Sequence, residues 1–321
     1  MDSKSIAVIV PVYNAESFLP FCIETLKKQE DDKIDFILVD DGSPDHSPKL
    51  CEDIALKDDR FCVIHKPNGG QSAARNAALE IIDNDYVTFV DSDDALIGRP
   101  CKYLMEVAEK TNADIVTMDA IITSDDYKEF ENNGINITET FDNAEYYKRL
   151  CKREIYDSPW GKIFKAKLFD EQRFKEGILN EDFLLLINLA KKPLSVVCTD
   201  YLGYFYRQYT GSTTGSGFKQ NMIDAVYNAY YAWKFVPYDE CKNAADEYFL
   251  YKILMFIVNM PKSFMTEKNK DYLFAFDYLK KLQGKIDSAA LPKTIKIFLK
   301  FFIHFPYAAK FVIDFYMKMK G

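Results

Sequence analysis

Three carboxylates follow a short apolar segment in the first third of the chain. Residues 86–90 are β-branched and aromatic, which is typical of a buried strand, and Asp91, Asp93 and Asp94 come directly after them. Carboxylates at one strand end repel each other unless a cation neutralises them, and Mg²⁺ and Mn²⁺ prefer such oxygen ligands. An isolated Asp-x-Asp is more often a solvated acidic turn, so the surrounding chain must decide between the two interpretations.

The elements that must position these carboxylates alternate between strands and helices. Apolar runs predict strands at residues 6–10, 34–39, 61–64 and 86–90, and helical spacing of apolar residues occurs at 18–29, 47–57 and 71–82. This alternation indicates βαβ units, so we predict an α/β fold with a mostly parallel, Rossmann-like sheet flanked by helices. Ligands bind such sheets beyond the carboxyl ends of the strands.

Polar side chains follow all four of these predicted strands. They are Tyr13 and Asn14 after the first, Asp41 after the second, Asn68 and Arg75 after the third, and Asp91, Ser92 and Asp93 after the fourth. An aromatic ring such as Tyr13 can stack on a nucleobase, Asp41 can accept a uracil N–H, and Arg75 can bind phosphates. A plain turn at Asp41 and a surface position for Arg75 are the alternatives.

Composition argues against several classes of protein. The net charge of −8 argues against general nucleic-acid binding. Seven scattered cysteines without a Cys-x-x-Cys pair predict reduced thiols, and three histidines argue against a histidine-based metal site. Neither a signal-peptide core nor a long uncharged apolar run occurs, so we expect a cytoplasmic protein without a transmembrane helix. Glycine-rich dinucleotide and P-loop motifs are also absent from the sequence.

Four short segments carry a family resemblance. They read VPVYN at residues 10–14, VDDGS at 39–43, NGG at 68–70 with ARN at 74–76, and VDSDD at 90–94. In this order they resemble the serial motifs of family 2 glycosyltransferases, which have the GT-A fold. The resemblance covers residues 4–210 and leaves a C-terminal helical region outside it.

The resemblance implies an inverting enzyme that takes a sugar from a nucleotide donor, usually a UDP-sugar. A divalent cation, Mn²⁺ or Mg²⁺, would assist the departure of the diphosphate. Carried over by position, the base would be held by Pro11, Tyr13 and Asp41, the ribose side by Asp91, the metal by Asp93, and the rest of the donor by Asn14, Asn68, Arg75 and Ser92. The acceptor would be a saccharide or a lipid-linked saccharide in bacterial surface-polysaccharide synthesis.

A second acidic pair, Glu181-Asp182, follows a glycine-containing loop and precedes a predicted helix at 183–190. Acids at this position also suit a helix N-terminus, where they interact with the helix dipole. In the family that the chain resembles, such a pair supplies the catalytic base. An inverting transfer needs one carboxylate to take the proton of the acceptor hydroxyl. We assign this role to Asp182, with Glu181 as a positioning residue or the alternative base.

The middle of the chain offers candidates for the acceptor side. Trp160 can stack on a sugar or belong to the core, and Lys162 lies two residues further on. Arg207 and the loop at 210–214 can contact phosphates when the site closes. The polar, acidic segment 123–142 predicts a hairpin or a flexible loop over the site. Further strands are predicted at 113–122, 196–198 and 201–207, with helices at 101–110 and 143–153.

The last third predicts helices at 222–236, 244–258, 270–282 and 294–320. We therefore predict a catalytic domain at 1–215 and a helical region at 216–321. Residues 294–320 combine a very wide apolar face with a stripe that contains Lys296, Lys300, Lys310 and Lys318. This pattern predicts either an element that lies on an anionic membrane surface or a helix that packs on its own domain or on a homodimer partner. The first interpretation would place the protein peripherally on the inner face of the cytoplasmic membrane.

Two other functions remain open on the sequence alone. A nucleotide-sugar pyrophosphorylase would share the nucleotide-binding logic, but the chain lacks a basic glycine-rich loop after its first strand. A nucleotide-sugar-binding subunit without catalysis is the second alternative, and the presence of both Asp93 and Asp182 argues against it.

Overall fold

The apolar runs of the N-terminal half form adjacent parallel strands. The computed structural model describes residues 4–30, 33–128, 130, 134–209, 218, 222–289 and 291–320, with side chains only up to Tyr316. Strands β1 (Ile6–Val12), β2 (Ile34–Asp40), β3 (Phe61–His65) and β4 (Tyr86–Phe89) lie in the order β3-β2-β1-β4, and all three pairings are parallel. Their carboxyl ends therefore share one edge of the sheet.

Three helices connect these strands, slightly shorter than the sequence predicts: α1 (Leu19–Lys27), α2 (Ser47–Ala55) and α3 (Gln71–Leu79). A proline lies in the first turn of both α1 and α2, where its missing N–H leaves no hydrogen bond unmade. Gly70, directly before α3, has φ +86, a conformation that glycine adopts at little cost.

The second half of the sheet is mixed. The chain continues through β5 (Ala95–Leu96), α4 (Pro100–Thr111), β6 (Ile115–Thr123), β7 (Ile137–Asp142), α5 (Asn143–Lys152), β8 (Lys162–Lys165), α6 (Glu181–Leu189) and β9 (Ser195–Arg207). The sheet extends in the order β4-β8-β6-β9-β5, with β7 paired to β9. Strand β8 is antiparallel to both of its neighbours, whereas β6 and β9 are parallel. The predicted α/β fold class is confirmed.

The core lies against β1, whose seven residues are all buried. Val8 and Val10 of this strand belong to the same buried cluster as Leu19 and Leu26 of α1 and Leu104 of α4. Burying one such aliphatic side chain contributes about 1.5–3 kcal/mol. This packing fixes the strand ends that carry the polar residues.

Two strand predictions were wrong in detail. The segment 123–142 contains β7, an exposed strand that pairs antiparallel with β9, rather than only a hairpin or flexible loop. A strand that pairs through its backbone at a solvent-facing edge needs no apolar side chains. The polar composition of β7 therefore gave no strand signal in the sequence. The predicted strands at 196–198 and 201–207 form the single strand β9, which continues through the intervening residues.

The chain divides into two compact units. The sheet unit contains Met1–Tyr146, Tyr156–Gly177 and Glu181–Ser212, and the helical unit contains Tyr147–Ile155, Ile178–Asn180 and Thr213–Gly321. The helical unit includes α7 (Ile223–Lys234), α8 (Lys242–Asn259), α9 (Lys270–Lys281), α10 (Lys293–His304) and α11 (Pro306–Lys320). The predicted single helix at 294–320 is two helices, because Pro306 cannot continue α10 and instead begins α11. Within the described residues, none of the helices has the length and apolar character needed to cross a bilayer.

Candidate active site

The carboxylate of Asp41, one residue past β2, organises the loop that follows β3. Its Oδ1 accepts hydrogen bonds from Lys66 Nζ at 2.6 Å and the Gly69 N–H at 2.9 Å, and its Oδ2 accepts one from the Gly70 N–H at 2.7 Å. Gly42 has φ +69, and a Cβ there would lie 2.9 Å from the Asn68 backbone nitrogen. A side chain at position 42 would therefore displace this loop. Since a carboxylate oxygen has two lone pairs, Oδ2 keeps capacity for one more donor.

The other residues expected around the base differ in exposure. Tyr13 is 53% exposed, and the adjacent Asn14 has φ +50 and donates its N–H to Ser43 Oγ at 3.3 Å. Asn68 is exposed in the loop, whereas Pro11 is buried inside β1. The Tyr13 ring is therefore free to stack on a ligand at this edge, while Pro11 offers it little surface.

Arg75 connects two separate acidic segments. Its Nη2 donates to Asp91 Oδ1 and its Nη1 donates to Asp182 Oδ1, both at 2.8 Å. The side chain is 1% exposed, and its guanidinium lies over the Phe174 ring at 5.1 Å. We expected Arg75 to contact phosphates. In the structure the buried Arg75 guanidinium instead pairs with the carboxylates of Asp91 and Asp182.

Asp182 is a partly accessible carboxyl at the start of α6, with 22% of its side chain exposed. Burial raises its pKa to about 7, Arg75 opposes this shift, and the neighbouring Glu181 and Asp91 add to it. Burial also raises the pKa of Glu181. A carboxyl group with a pKa near neutrality is well suited to accept a proton at physiological pH.

The three acids after β4 have different environments. Asp94 is 1% exposed and accepts hydrogen bonds from the Tyr204 hydroxyl at 2.7 Å and the Arg207 N–H at 2.8 Å. Burial, reinforced by Asp91 and Asp93, raises the pKa of Asp94 to about 9. These hydrogen bonds hold Asp94 within the fold, and Asp91 pairs with Arg75. Asp93 is therefore the carboxylate of the three to consider as a cation ligand.

Asp93 fits a divalent cation that a diphosphate would share. Burial and the charge of Asp91 raise the pKa of Asp93, and its side-chain partner is the neutral Tyr209 hydroxyl. A bound cation would relieve this unfavourable charge, and a carboxylate oxygen is a ligand that Mg²⁺ and Mn²⁺ accept. Among the described residues no group of three or more His, Cys, Asp or Glu is arranged to bind a metal by itself.

The expected acceptor residues are mostly buried. Trp160 is 7% exposed and stacks on Tyr204 and Tyr206, with ring centroids 4.8 and 5.2 Å away. Lys162 is 1% exposed and donates to the carbonyls of Tyr156 and Ser158, both at 2.8 Å. Trp160 therefore belongs to the core and Lys162 holds a turn. The expectation that they face an acceptor is not met in this conformation.

Arg207, at the end of β9, lies beside the acidic segment. Its Nε donates to the Asp93 carbonyl at 3.2 Å, and its guanidinium lies over the Phe18 ring at 5.6 Å. A basic group therefore adjoins the candidate diphosphate position. The loop at 210–214, expected to act together with Arg207, lies outside the described residues.

Several site residues escaped the sequence interpretation. Gln71 Nε2 donates to Asp91 Oδ1 at 2.7 Å, and the Tyr204 hydroxyl accepts the Asp91 N–H at 3.2 Å. Asn76 donates to the Phe174 carbonyl at 2.9 Å and accepts the Phe174 N–H at 2.9 Å. Asn76 is part of the ARN segment at 74–76, so its motif could have indicated a role. Nothing in the sequence distinguishes Tyr204 from the other strand tyrosines.

Comparison with known proteins identifies the family to which the chain is similar. The family model described as "Glycosyl transferase family 2" matches residues 7–176. "Glycosyltransferase GlyA" of Streptococcus pneumoniae is 34% identical over 66% of this chain, which spans only 32% of GlyA. An "Uncharacterized glycosyltransferase" of Haemophilus influenzae is also 34% identical, over 72% of this chain and 89% of its own length.

The fold also has a close counterpart among solved structures. The structure of S. aureus TarS 1–349 in complex with UDP-GlcNAc superposes with a TM-score of 0.70. The superposition covers 97% of this chain and 88% of the TarS chain at 18% sequence identity. At this level of identity the likeness shows a shared fold.

Proposed function

The chain belongs to glycosyl transferase family 2, and we propose that it transfers a sugar from a UDP-sugar to a saccharide or lipid-linked saccharide with inversion at the anomeric carbon. The observation that carries this proposal is the double ion pair of Arg75, which joins Asp91 at the end of β4 to Asp182 at the start of α6. This contact places a candidate donor-binding carboxylate and a candidate base on the same guanidinium.

The donor would bind along the carboxyl edge of the parallel strands. Tyr13 would stack on the base, Oδ2 of Asp41 would accept the uracil N–H, and Asp91 would contact the ribose, with Asn14, Asn68 and Ser92 nearby. The exposed Tyr13 ring and the remaining lone pair of Asp41 Oδ2 support these assignments. The UDP-GlcNAc bound by TarS supports UDP as the nucleotide.

Asp93 would hold a divalent cation, Mn²⁺ or Mg²⁺. When bound, such a cation neutralises the negative charge that develops on the departing diphosphate. Arg207 adds positive charge on the same side, since its Nε already lies 3.2 Å from the Asp93 carbonyl. Asp94 would keep the segment in place rather than bind metal.

Asp182 would act as the general base. Arg75 engages Oδ1 of this carboxylate, which leaves Oδ2 to accept the proton of the acceptor hydroxyl. The hydroxyl oxygen forms the new bond to the anomeric carbon, and UDP leaves with the electron pair of the old one. Glu181 would position the acceptor, or act as the base if Asp182 does not.

For the two parts of the chain, we propose that residues 1–215 catalyse the transfer and that 216–321 hold the enzyme at the inner face of the cytoplasmic membrane. The sequence suggested that lysines would carry the membrane contact, but the structure shows that three of them have partners within the helical unit. Lys300 pairs with Asp287 at 2.6 Å, Lys296 donates to the Asp287 carbonyl, and Lys310 is 2% exposed beside Asp314. Lys296, Lys300 and Lys310 therefore each contact another part of the helical unit, and the side chain of Lys318 lies outside the described residues.

The exposed apolar surface of α10, α11 and the intervening Phe305 is mostly aromatic. The apolar side chains that are at least 40% accessible there are Ile297, Phe301, Phe305, Tyr307, Phe311, Val312, Phe315 and Tyr316. Aromatic side chains favour the interface between lipid and water. We therefore attribute membrane binding to this aromatic face, on which a second copy of the chain is the competing occupant.

Calorimetry with purified protein tests the donor proposal. We expect UDP and UDP-GlcNAc to bind more tightly with Mn²⁺ present, and GDP to bind more weakly than UDP. Asp41→Ala should weaken UDP binding, whereas Asp53→Ala, which removes an exposed ion pair with Lys49 within α2, should not. Failure of every nucleotide to bind would refute the donor assignment. Turnover of a nucleoside triphosphate and a sugar 1-phosphate to pyrophosphate would instead favour the pyrophosphorylase.

A further inference from the structure

We propose that Asp224 and Asn228 of α7 are positioning residues for the catalytic base, because they fix the three peptide groups that lead into Glu181 and Asp182. The proposal rests on the assignment of the base made above. It gives the helical unit a role in catalysis itself, separate from any role at a membrane.

The contacts lie within the helical unit, to which Ile178–Asn180 belongs. Asp224 Oδ2 accepts the Leu179 N–H at 3.1 Å. Asn228 Nδ2 donates to the Leu179 carbonyl at 3.0 Å and to the Asn180 carbonyl at 3.1 Å. Positions 224 and 228 are one helical turn apart, so both side chains lie on the same face of α7.

These three backbone groups belong to consecutive peptide planes. The Leu179 N–H belongs to the peptide plane between residues 178 and 179, and the Leu179 carbonyl to the plane between 179 and 180. The Asn180 carbonyl belongs to the plane between 180 and 181. The last of these planes is the peptide bond that joins Asn180 to Glu181, the first residue of α6. These contacts hold the peptide group from which the chain continues into the first turn of α6, and Asp182 lies in that turn.

The backbone at this point would not adopt its conformation readily without support. Asn180 has φ +62, a left-handed conformation that is uncommon outside glycine, although asparagine tolerates it better than most residues. The Tyr248 hydroxyl lies 3.4 Å from Asn180 Oδ1. Asn228 itself is 5% exposed, so water does not readily replace its amide at the two carbonyls.

The other end of the same loop is held within the sheet unit. Asn76 of α3 exchanges two hydrogen bonds with the Phe174 backbone, each 2.9 Å long, and donates to Glu176 Oε1 at 3.1 Å. Between these attachments Gly177 has φ +74, which allows the chain to turn. Two asparagines thus define both ends of the segment that delivers the base.

Asn228→Leu removes both donated hydrogen bonds while keeping a similar side-chain volume. We expect kcat for UDP release from UDP-GlcNAc with Mn²⁺ to fall by about 10- to 100-fold, because small displacements of a catalytic group are costly. The donor KM should stay unchanged, since Tyr13 and Asp41 are untouched. Asn259→Leu is the matched control, because Asn259 donates to the Met255 carbonyl within its own helix α8.

Asp224 provides a second test if Asn228→Leu folds poorly. Asp224→Asn retains an oxygen that can accept the Leu179 N–H and should keep most of the activity. Asp224→Ala should lose activity to an extent similar to Asn228→Leu. Equal activity of the Asn and Ala variants would count against the proposal.

Amide hydrogen exchange makes the test independent of the donor. In Asn228→Leu we expect faster exchange at residues 179–183 and unchanged exchange in β1 and β2. Wild-type exchange at 179–183 together with wild-type kcat would overturn the proposal. If wild type releases no UDP from any UDP-sugar, the assigned function fails, and the exchange data still decide whether α7 holds this segment.

Discussion

Arg75 Nη1 lies 2.8 Å from Asp182 Oδ1, although the two residues are 107 positions apart in the sequence. The same guanidinium donates to Asp91, and its side chain is only 1% exposed. A buried guanidinium that bridges two carboxylates holds them at a fixed spacing. Arg75 therefore joins Asp91, on the proposed donor side, to Asp182, the proposed base.

Arg75→Lys tests this bridge. A lysine keeps the positive charge but cannot serve both carboxylates with a planar fork, so we expect the transfer rate to fall by about 10²-fold through misplacement of Asp182. Arg60→Lys is a suitable control, because Arg60 likewise pairs with a carboxylate, that of Asp58, and also donates to the Gln29 carbonyl, away from the proposed site. Similar rate losses in both variants would point to general destabilisation.

The pH dependence follows from Asp182. Its pKa is raised to about 7 by burial, and only the ionised carboxylate can accept a proton. The transfer rate should therefore rise as the pH approaches 7 from below and level off above it. Initial rates with saturating donor across this range would check the sign. A rate that falls with rising pH through this region would exclude an ionised base of this kind.

Replacement of Asp93 or Asp94 by asparagine should affect Mn²⁺-dependent UDP binding differently. Asp93→Asn should abolish the strengthening of UDP binding by Mn²⁺, because a cation would lose its carboxylate ligand. Asp94→Asn should retain that response, since the pKa of Asp94 is raised to about 9 and an amide resembles the protonated acid. Calorimetric titration of UDP with and without Mn²⁺ distinguishes the two. An intact Mn²⁺ effect in Asp93→Asn would remove this residue from the metal site.

Much of the sheet could be predicted because buried parallel strands are continuous apolar runs, as in β1 and β2. The polar edge strand β7 could not, since its side chains carry no burial signal. The sequence left Trp160 open between a sugar contact and the core, and it did not reveal that Lys162 is buried, because residue type does not show whether a side chain turns inward. The partners of Arg75 depend on how α3 and α6 meet in the folded sheet unit, and no local pattern encodes that long-range contact.

The aromatic face of α10 and α11 predicts the behaviour on membranes. Replacing Phe305, Phe311 and Phe315 by Ser should release the protein from liposomes, because each is at least 58% exposed and contributes apolar area to the face. Leu56→Ser is the control, as Leu56 is 84% exposed in the sheet unit. Co-sedimentation with liposomes measures the effect.

Two results would contradict this assignment. Wild type that ignores liposomes and sediments as a dimer, with the triple variant monomeric, would assign the face to a second copy of the chain. Binding that occurs only to liposomes with anionic lipid would instead assign membrane binding to the lysines. Charge reversal at Lys300 is uninformative here, because it would also break the pair with Asp287.

Turnover of UDP-GlcNAc by Asp182→Asn, beside Glu181→Gln and wild type, tests the central claim most directly. The account predicts that Asp182→Asn binds UDP as wild type does but releases it from the donor about 10²–10⁴-fold more slowly, the usual contribution of a general base. Glu181→Gln should lose much less. Full activity in Asp182→Asn, or the large loss in Glu181→Gln instead, would contradict the assignment of Asp182 as the base.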